Sequence, residues 1–398
     1  MSSASIAIIG GSIAGCALGI VFSRLRFDVK IYERSEHALN ERGAGICIPE
    51  ELQVELIKKD FFDPSSSSLL IQQRQFITKI SDSSPKLLWE HSVKAIAYNW
   101  AEIFSQLRKR VNNHIYLAGI KVERIVPNKN KINLFLSNNQ TTSIDWVFGC
   151  DGINSLVREQ LFPNRLKEET NYVAWRGMLP QIEVKNHNFD NIFGYICYDQ
   201  GHAVTYYVPD RKGGLYLNWL IYQKMTAEEK KQLLTDNKGF FHETSFTNEF
   251  FNVEHYDKLQ RLSLKFPKIF TDIIRNTQAP FIQNIVDIKI PNLRKGHICL
   301  LGDAACISRP HTASGATKAL SSALLLQEQL NSHDNIEAAI SVWEKQQLES
   351  EIKLYELGQI FGKALVTEVP SWQTMTPKKM EEWWNAVMSG RSWYATDD

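Results

Sequence analysis

The chain has 398 residues, 45 basic against 44 acidic, for a net charge of +1, with 43% hydrophobic and 22% charged residues. That is the composition of an ordinary globular protein. The balance leaves no basic stripe for nucleic acid, and no run approaches the ~20 apolar residues that span a bilayer. The 6 cysteines are scattered and form no CxxC, so zinc and dithiol chemistry lack their spacing, and no metal is expected. Free buried thiols in a reducing, cytoplasmic setting are the expectation. The apolar N-terminus has no basic start and is not read as a signal peptide. At roughly 150 residues per unit, two or three structural units are expected.

Ser5 to Ile9 reads as a buried strand, Gly10-Gly11-Ser12-Ile13-Ala14-Gly15 as a turn, and Cys16 to Leu25 as an apolar helix. Asp28 to Tyr32 is a second strand ending in Glu33-Arg34. Strand, Gly-rich turn, helix, strand and acid form a dinucleotide-binding unit. Gly10 permits the turn, Gly15 lets helix and strand approach, and a pyrophosphate rests on the helix N-terminus. Ser12 stands where the second glycine of a GxGxxG turn is usual, and its hydroxyl can donate to phosphate. Glu33 can accept from the adenosine ribose, which favours an ADP-like group over a 2′-phosphate.

Arg42 to Ile46 is a second glycine-containing turn. Its Arg42 meets a pyrophosphate, meets a nicotinamide cofactor, or is a solvated loop side chain. Residues 51–60 read as a short helix, 69–80 and 86–90 as strands, and Trp100 to Val111 as a helix. Segments from Ile115 to Phe148 read as a meander on the first unit. Asp151-Gly152-Ile153-Asn154-Ser155-Leu156-Val157-Arg158 again runs from strand through an acid into a helix. Asp151 can cap that helix, and Arg158 can fold back on it or reach a phosphate.

From Thr170 to Val286 alternation dominates, as in antiparallel strands. Trp175, Tyr195, Tyr206, Tyr207, Trp219 and Tyr222 are either sheet core or the wall of an aromatic pocket, for which Tyr195, Tyr207 and Trp219 are the candidates. Arg176 is either paired structurally or orients a polar substrate group. Ile298 to Leu301 is a short buried strand that stops at Gly302-Asp303. A loop of small residues follows, and Pro310 precedes a long apolar helix. Asp303 can accept from a polyol hydroxyl, and the helix N-terminus can face an electron-rich atom. Helices are expected over Thr317 to Asn331, Asn335 to Phe361 and Met375 to Met388. The tail tryptophans Trp372, Trp383, Trp384 and Trp393 pack on the body or on a second copy of the chain, or form a lid.

Together, Gly10–Gly15 with Glu33, the Asp151–Arg158 run and Gly302-Asp303 resemble the single-component FAD-dependent aromatic hydroxylases of the para-hydroxybenzoate hydroxylase type. Trp175-Arg176-Gly177 and Arg309-Pro310-His311 narrow the likeness to hydroxylases of salicylate, 6-hydroxynicotinate and, nearest, 2,6-dihydroxypyridine. There are departures: Ala313 stands for a common glycine, Thr317 for asparagine, Ser322 for aspartate and Trp100 for an arginine that contacts FAD.

The resemblance implies an α/β chain with a Rossmann-like FAD-binding domain (1–170 and 285–365), an antiparallel-sheet substrate domain (171–284, joined by 69–90) and a C-terminal helical tail (366–398). It implies FAD as cofactor and NADH or NADPH as a transient reductant without a domain of its own. O₂ would be activated as a flavin C4a-hydroperoxide and delivered to a small aromatic or N-heteroaromatic ring. The cofactor residues it implies are Gly10, Gly11, Ser12, Ile13, Ala14, Gly15, Glu33, Arg34, Arg42, Gly45, Asn99, Asp151, Arg158, Gly302, Asp303, Pro310, Ala313, Ser314, Gly315 and Ala316. His311 and Arg176 are the catalytic candidates, His311 because imidazole titrates near neutral pH. A homodimer is compatible with this reading. The alternatives are a same-fold enzyme acting on a larger natural product or drug, and a non-catalytic flavin-binding redox sensor.

Overall fold

The computed structural model describes residues 4–36, 44–80, 84–163, 167–184, 189–210 and 213–391. Its strands are β1 (Ser5–Ile9), β2 (Asp28–Glu33), β3 (Gly45–Pro49), β4 (Leu69–Lys79), β5 (Pro85–Asn99), β6 (Tyr116–Ala118), β7 (Val122–Asn128), β8 (Lys131–Leu136), β9 (Thr141–Ile144), β10 (Trp146–Gly149), β11 (Glu168–Pro180), β12 (Ile192–Tyr198), β13 (Gly201–Pro209), β14 (Leu215–Lys224), β15 (Ser245–Thr247), β16 (Phe281–Asp287), β17 (Arg294–Lys295) and β18 (Ile298–Leu300). Its α-helices are α1 (Ile13–Arg24), α2 (Glu50–Lys58), α3 (Trp100–Arg108), α4 (Leu156–Leu161), α5 (Ala227–Leu233), α6 (Val253–Ser263), α7 (Lys268–Asn276), α8 (Gly315–Ser332), α9 (Ile336–Gly362) and α10 (Pro377–Met388).

A six-stranded sheet runs in the order β17-β18-β10-β1-β2-β6, parallel except for β17. Its central strands are continuous apolar runs, as parallel strands covered on both faces must be. Helices α1, α3 and α8 and the small sheet β7-β8-β9 bury them in one core. The expected meander therefore divides three ways. β6 and β10 join the parallel sheet, and only β7 to β9 pair among themselves.

The second sheet has nine strands in the order β15-β16-β11-β14-β13-β12-β4-β5-β3. Strands β3 to β5, early in the chain, extend the strands of residues 168–287, and β3 starts at Gly45 where a turn is expected from the sequence. Both faces of this sheet are covered. One packs against the end of α9 and the tail through Phe361, Leu365, Trp372, Met380 and Trp384. The other packs against α5, α6 and α7 through Leu233, Leu259, Leu262, Phe270 and Ile274.

Register assigns each side chain its face. Tyr195 lies opposite Val204, Val204 opposite Leu220, and Leu220 opposite Arg176, and these belong to the tail-side face. Thr205, Trp219 and Gly177 form the neighbouring row and so point the other way, because a step of one residue reverses the face.

Candidate active site

The three acid-bearing turns meet at the ends of the parallel strands. Gly10 takes φ +99°, and a Cβ there would lie 2.4 Å from the Cys150 carbonyl oxygen and 2.9 Å from the Asp151 Cα. At Gly15 a Cβ would come within 1.8 Å of the Gly10 oxygen. Only glycine lets α1 start this close to β1. A Cβ at Gly302, φ +66°, would touch Ala14 of α1 at 3.3 Å and Ala319 of α8 at 3.7 Å. The N-terminal ends of α1 and α8 therefore flank the Gly302-Asp303 turn.

Both helices start in a way that suits a bound anion or polar ring edge. Among the described residues, α3, α4, α5, α6, α9 and α10 have N-cap side chains that accept a backbone N–H, whereas Ser12 before α1 and Ser314 before α8 do not. Ser314 instead bonds the hydroxyls of Ser308 at 2.8 Å and Thr312 at 2.6 Å. A Cβ at Gly152 or Gly315 would meet nothing within 4 Å, so space lies open beside the Asp151 loop and beside the start of α8. An N-terminus without a side-chain cap fits a pyrophosphate at α1, and the same with open space beside it fits a flavin edge at α8.

The side chains predicted for the cofactor divide into two groups. Glu33 accepts the Gly11 N–H at 2.8 Å and the Ser35 N–H at 2.9 Å, and retains lone pairs for a ribose. Ile13 is buried, Arg34 is exposed and Arg42 lies outside the described residues. Asp303 is exposed at the turn. Three others hold protein rather than open space. Asn99 caps α3 through the Ala101 N–H at 2.9 Å. Asp151 caps α4, accepting from Ser155 at 2.5 Å and Val157 N–H at 3.3 Å. Arg158 is a correction. Its guanidinium is buried and donates to the carbonyls of Ile153 at 2.5 Å, Asp303 at 3.2 Å and Ala304 at 3.0 Å. It ties the Asp151 loop to the Gly302 turn and does not point at a phosphate. The N–H of Gly45 donates to Asn218 of β14 at 3.0 Å, joining the front of β3 to the sheet.

Pro310 to Thr312 form one short 3₁₀ turn that ends at Ala313 with φ +50° and ψ 23°. That left-handed backbone is one that glycine adopts without strain and alanine does not. The turn presses on α9, where a Cβ at Gly358 would sit 2.9 Å from the Arg309 nitrogen. Arg309 pairs with Asp287 through contacts of 2.9, 3.1 and 2.5 Å and covers the Tyr172 ring at 5.5 Å. Tyr172 in turn meets His311 Nε2 at 3.0 Å.

His311 is buried beside Tyr222, ring centres 4.0 Å apart, and a second buried histidine, His202, at 5.3 Å. Burial, then His202 and Arg309, hold His311 well below the usual imidazole range, and burial holds His202 at about 3. Both are neutral near pH 7. Their tautomers follow from their partners. The Tyr172 oxygen accepts from Arg309, and its own proton is satisfied when it is turned to His311 Nε2, an arrangement that puts the His311 hydrogen on Nδ1. His202 Nδ1 lies 3.1 Å from the Leu365 carbonyl, which can only accept, so Nε2 keeps a lone pair. Neither His311 Nδ1 nor His202 Nε2 has a partner among the described residues.

Arg176 stands on the same face, held by Gln283 at 3.0 Å over the Phe281 ring at 5.6 Å. Tyr195 is on this face too, stacked on Phe76 at 4.9 Å and beside Arg74 at 5.4 Å. Tyr207 and Trp219 are corrections. They point into the opposite core, where Trp219 donates to Thr277 at 2.9 Å. The sequence analysis names neither His202 nor Arg74 and gives Tyr172 no role, although His202 shares parity with Tyr206 in β13.

The protein-family model described as "FAD binding domain-like" matches residues 169–287, the strands of the large sheet and the helices on it. The 2,6-dihydroxypyridine 3-monooxygenase of Paenarthrobacter nicotinovorans is 27% identical over 355 residues, covering 86% of this chain and 87% of that protein. The 6-hydroxynicotinate 3-monooxygenase of Pseudomonas fluorescens is 22% identical, covering 92% and 93%. The solved 2,6-dihydroxypyridine-3-hydroxylase of Arthrobacter nicotinovorans superposes with a TM-score of 0.85 at 24% identity, over 94% of this chain and 96% of that one. With the dinucleotide turn, the Asp151 loop and the Gly302 turn assembled in one place, the chain is similar in sequence and in fold to these FAD-dependent monooxygenases of hydroxylated pyridine rings.

Proposed function

We propose that this chain hydroxylates a small aromatic or N-heteroaromatic ring that bears a hydroxyl or ring nitrogen, taking two electrons from NAD(P)H and one oxygen atom from O₂, with the other leaving as water. FAD bound here supplies the redox chemistry. The chain's own residues hold it and the substrate. The α1 N-terminus and Glu33 take the ADP half, the Gly302-Asp303 turn the ribityl chain, and the α8 N-terminus the flavin edge.

The observation that carries the substrate reading is the pair of neutral histidines. His311 offers an N–H donor and His202 an acceptor, both buried, on a face lined by Tyr195 and Tyr222. A buried polar atom left unpaired costs about 1–3 kcal/mol, so a flat ring with one donor and one acceptor is the ligand that relieves it. His202, accepting from a ring hydroxyl, would raise the electron density of that ring without removing the proton, since its own basicity is low. The dry aromatic surroundings keep water from the reacting oxygen.

A small substrate is favoured over a large one because the tail closes this face, with Trp384 5.6 Å from Phe76 and 5.2 Å from Arg74. Six buried free thiols suit a reducing compartment such as the cytoplasm. Among the described residues no helix is long and apolar enough to cross a membrane. The test is NADH and NADPH oxidation and O₂ uptake by the FAD-loaded protein across hydroxypyridines, phenols and polycyclic compounds. Stimulation by a single-ring compound with formation of its hydroxylated product is expected. Stimulation only by polycyclic compounds would move the reading to larger substrates, and no stimulation at all would sink it.

A further inference from the structure

Lys318 lies in the first turn of α8 and its side chain is 1% exposed. A cation at that end of a helix opposes the helix dipole, and a buried ammonium is costly unless it is paired and hydrogen-bonded. The sequence places this lysine among small apolar residues, Gly315-Ala316-Thr317 before it and Ala319-Leu320 after it. Packing alone would be served better by an apolar side chain.

Its partners say what it does. The ammonium meets Asp303 Oδ1 at 3.1 Å, donates to the Cys306 carbonyl, and stands 4.0 Å from Glu351 Oε2. Glu351 is 2% exposed and is held by Gln347 at 3.1 Å. The Asp303 side chain is 52% exposed, and its Oδ2 makes no hydrogen bond among the described residues. The exposed member of this network is the carboxylate at the Gly302 turn. Arg158 holds the same residue by its backbone carbonyl at 3.2 Å. Two buried cations therefore fix Asp303, one by its main chain and one by its side chain.

We propose that Lys318 is the positioning residue for Asp303, gripping one carboxylate oxygen so that the other is held ready for a ribityl hydroxyl of FAD. The proposal rests on the reading of Asp303 as a flavin ligand. A carboxylate on a loop loses rotamer freedom when it binds; one already held loses less, and the saving appears as affinity. Glu351 supplies the second negative charge that keeps the lysine ionised in this dry place, and with Asp303 it pushes the Lys318 ammonium above its usual range.

The experiment is a double-mutant cycle on FAD binding. Apoprotein is titrated with FAD by flavin fluorescence for the natural chain, Lys318→Met, Asp303→Asn and the double variant, with apoprotein Tm recorded for each. Asp303→Asn is expected to weaken FAD about tenfold or more, as loss of a hydrogen bond to a charged group does. Lys318→Met is expected to weaken FAD by about fivefold when Asp303 is present and by less than about twofold in the Asp303→Asn background. A merely structural lysine would weaken both backgrounds alike, which overturns the proposal, as does an unchanged Kd in Lys318→Met. If Asp303→Asn alone leaves Kd unchanged, the reading of Asp303 is what fails. Should Lys318→Met not unfold cooperatively, Lys318→Gln goes through the same cycle under the same criteria.

Discussion

At the scale of single residues, Glu33 and His202 carry the sharpest expectations. Glu33 accepts the Gly11 N–H from inside the turn and is the acid available to a ribose. Glu33→Ala removes both contacts and leaves a buried donor unpaired at about 1–3 kcal/mol. The variant is expected to purify largely colourless; a fully yellow preparation would remove Glu33 from the ribose. His202 is neutral in the fold down to about 3, while in the unfolded chain it protonates near its ordinary 6.5. Between those values the unfolded state binds the extra proton. Stability is therefore full above 6.5 and is lost as pH falls below it, by about 1.4 kcal/mol per unit for one such group. His91, held at about 3 by burial and Arg74, and His311 add in the same direction. The buried carboxyls of Asp151 and Glu351, pushed up by burial, act the other way. His202→Gln should accordingly lose about 1 kcal/mol less than the natural chain between pH ~7.5 and ~5.5, measured by denaturant melts. An equal loss would mean that His202 protonates inside the fold.

At the scale of elements, the turn before α8 and the tail helix α10 are the telling pieces. Ala313 adopts φ +50°, a region that strains a residue with a Cβ by about 1 kcal/mol or more. Ala313→Gly relieves the strain at some entropic cost, so a thermal melt should show unchanged or higher Tm, by up to about 1 kcal/mol of stability. A clear drop would mean that the alanine methyl matters more than the backbone. In α10, Trp384 is 4% exposed and packs on Phe361 at 5.8 Å and Phe76 at 5.6 Å. Trp384→Ala should cost about 3–5 kcal/mol in a denaturant melt, the usual range for a buried tryptophan. A loosely held lid would show far less. The tail is thus packed on the large sheet, one of the positions the sequence left open for it.

For the whole molecule, the chemistry of the thiols is a direct test of the fold. All six cysteines are free and buried, and burial pushes Cys16 and Cys306 up to about 12. A thiol reagent should therefore label the native protein slowly and all six after unfolding. Rapid labelling of even one in the native state would contradict the packing around it.

Local spacing made the cofactor half legible. The run Ser5 to Gly15, Glu33 at the end of β2, Asp151 after β10 and Gly302-Asp303 after β18 each show strand, turn and acid within a few residues, and parallel strands bring such turns to one edge. The substrate half was legible only as strands. Every residue of β13 is buried, so alternation there has no polar half to say which side faces the site, and Tyr207 and Trp219 could not be told from Tyr195. Only the register of the nine strands separates them. The same holds for His202 with His311, far apart in the chain, and for Lys318 with Glu351. Lys318 drew no reading from the sequence, because what surrounds it is fixed by the packing of α8 on α9 and on the Gly302 turn. The sequence by itself determined the dinucleotide unit and the order of elements, because those depend on neighbours in the chain. The tertiary structure decided which side chains meet across the sheet, because that depends on register and on which elements cover each face.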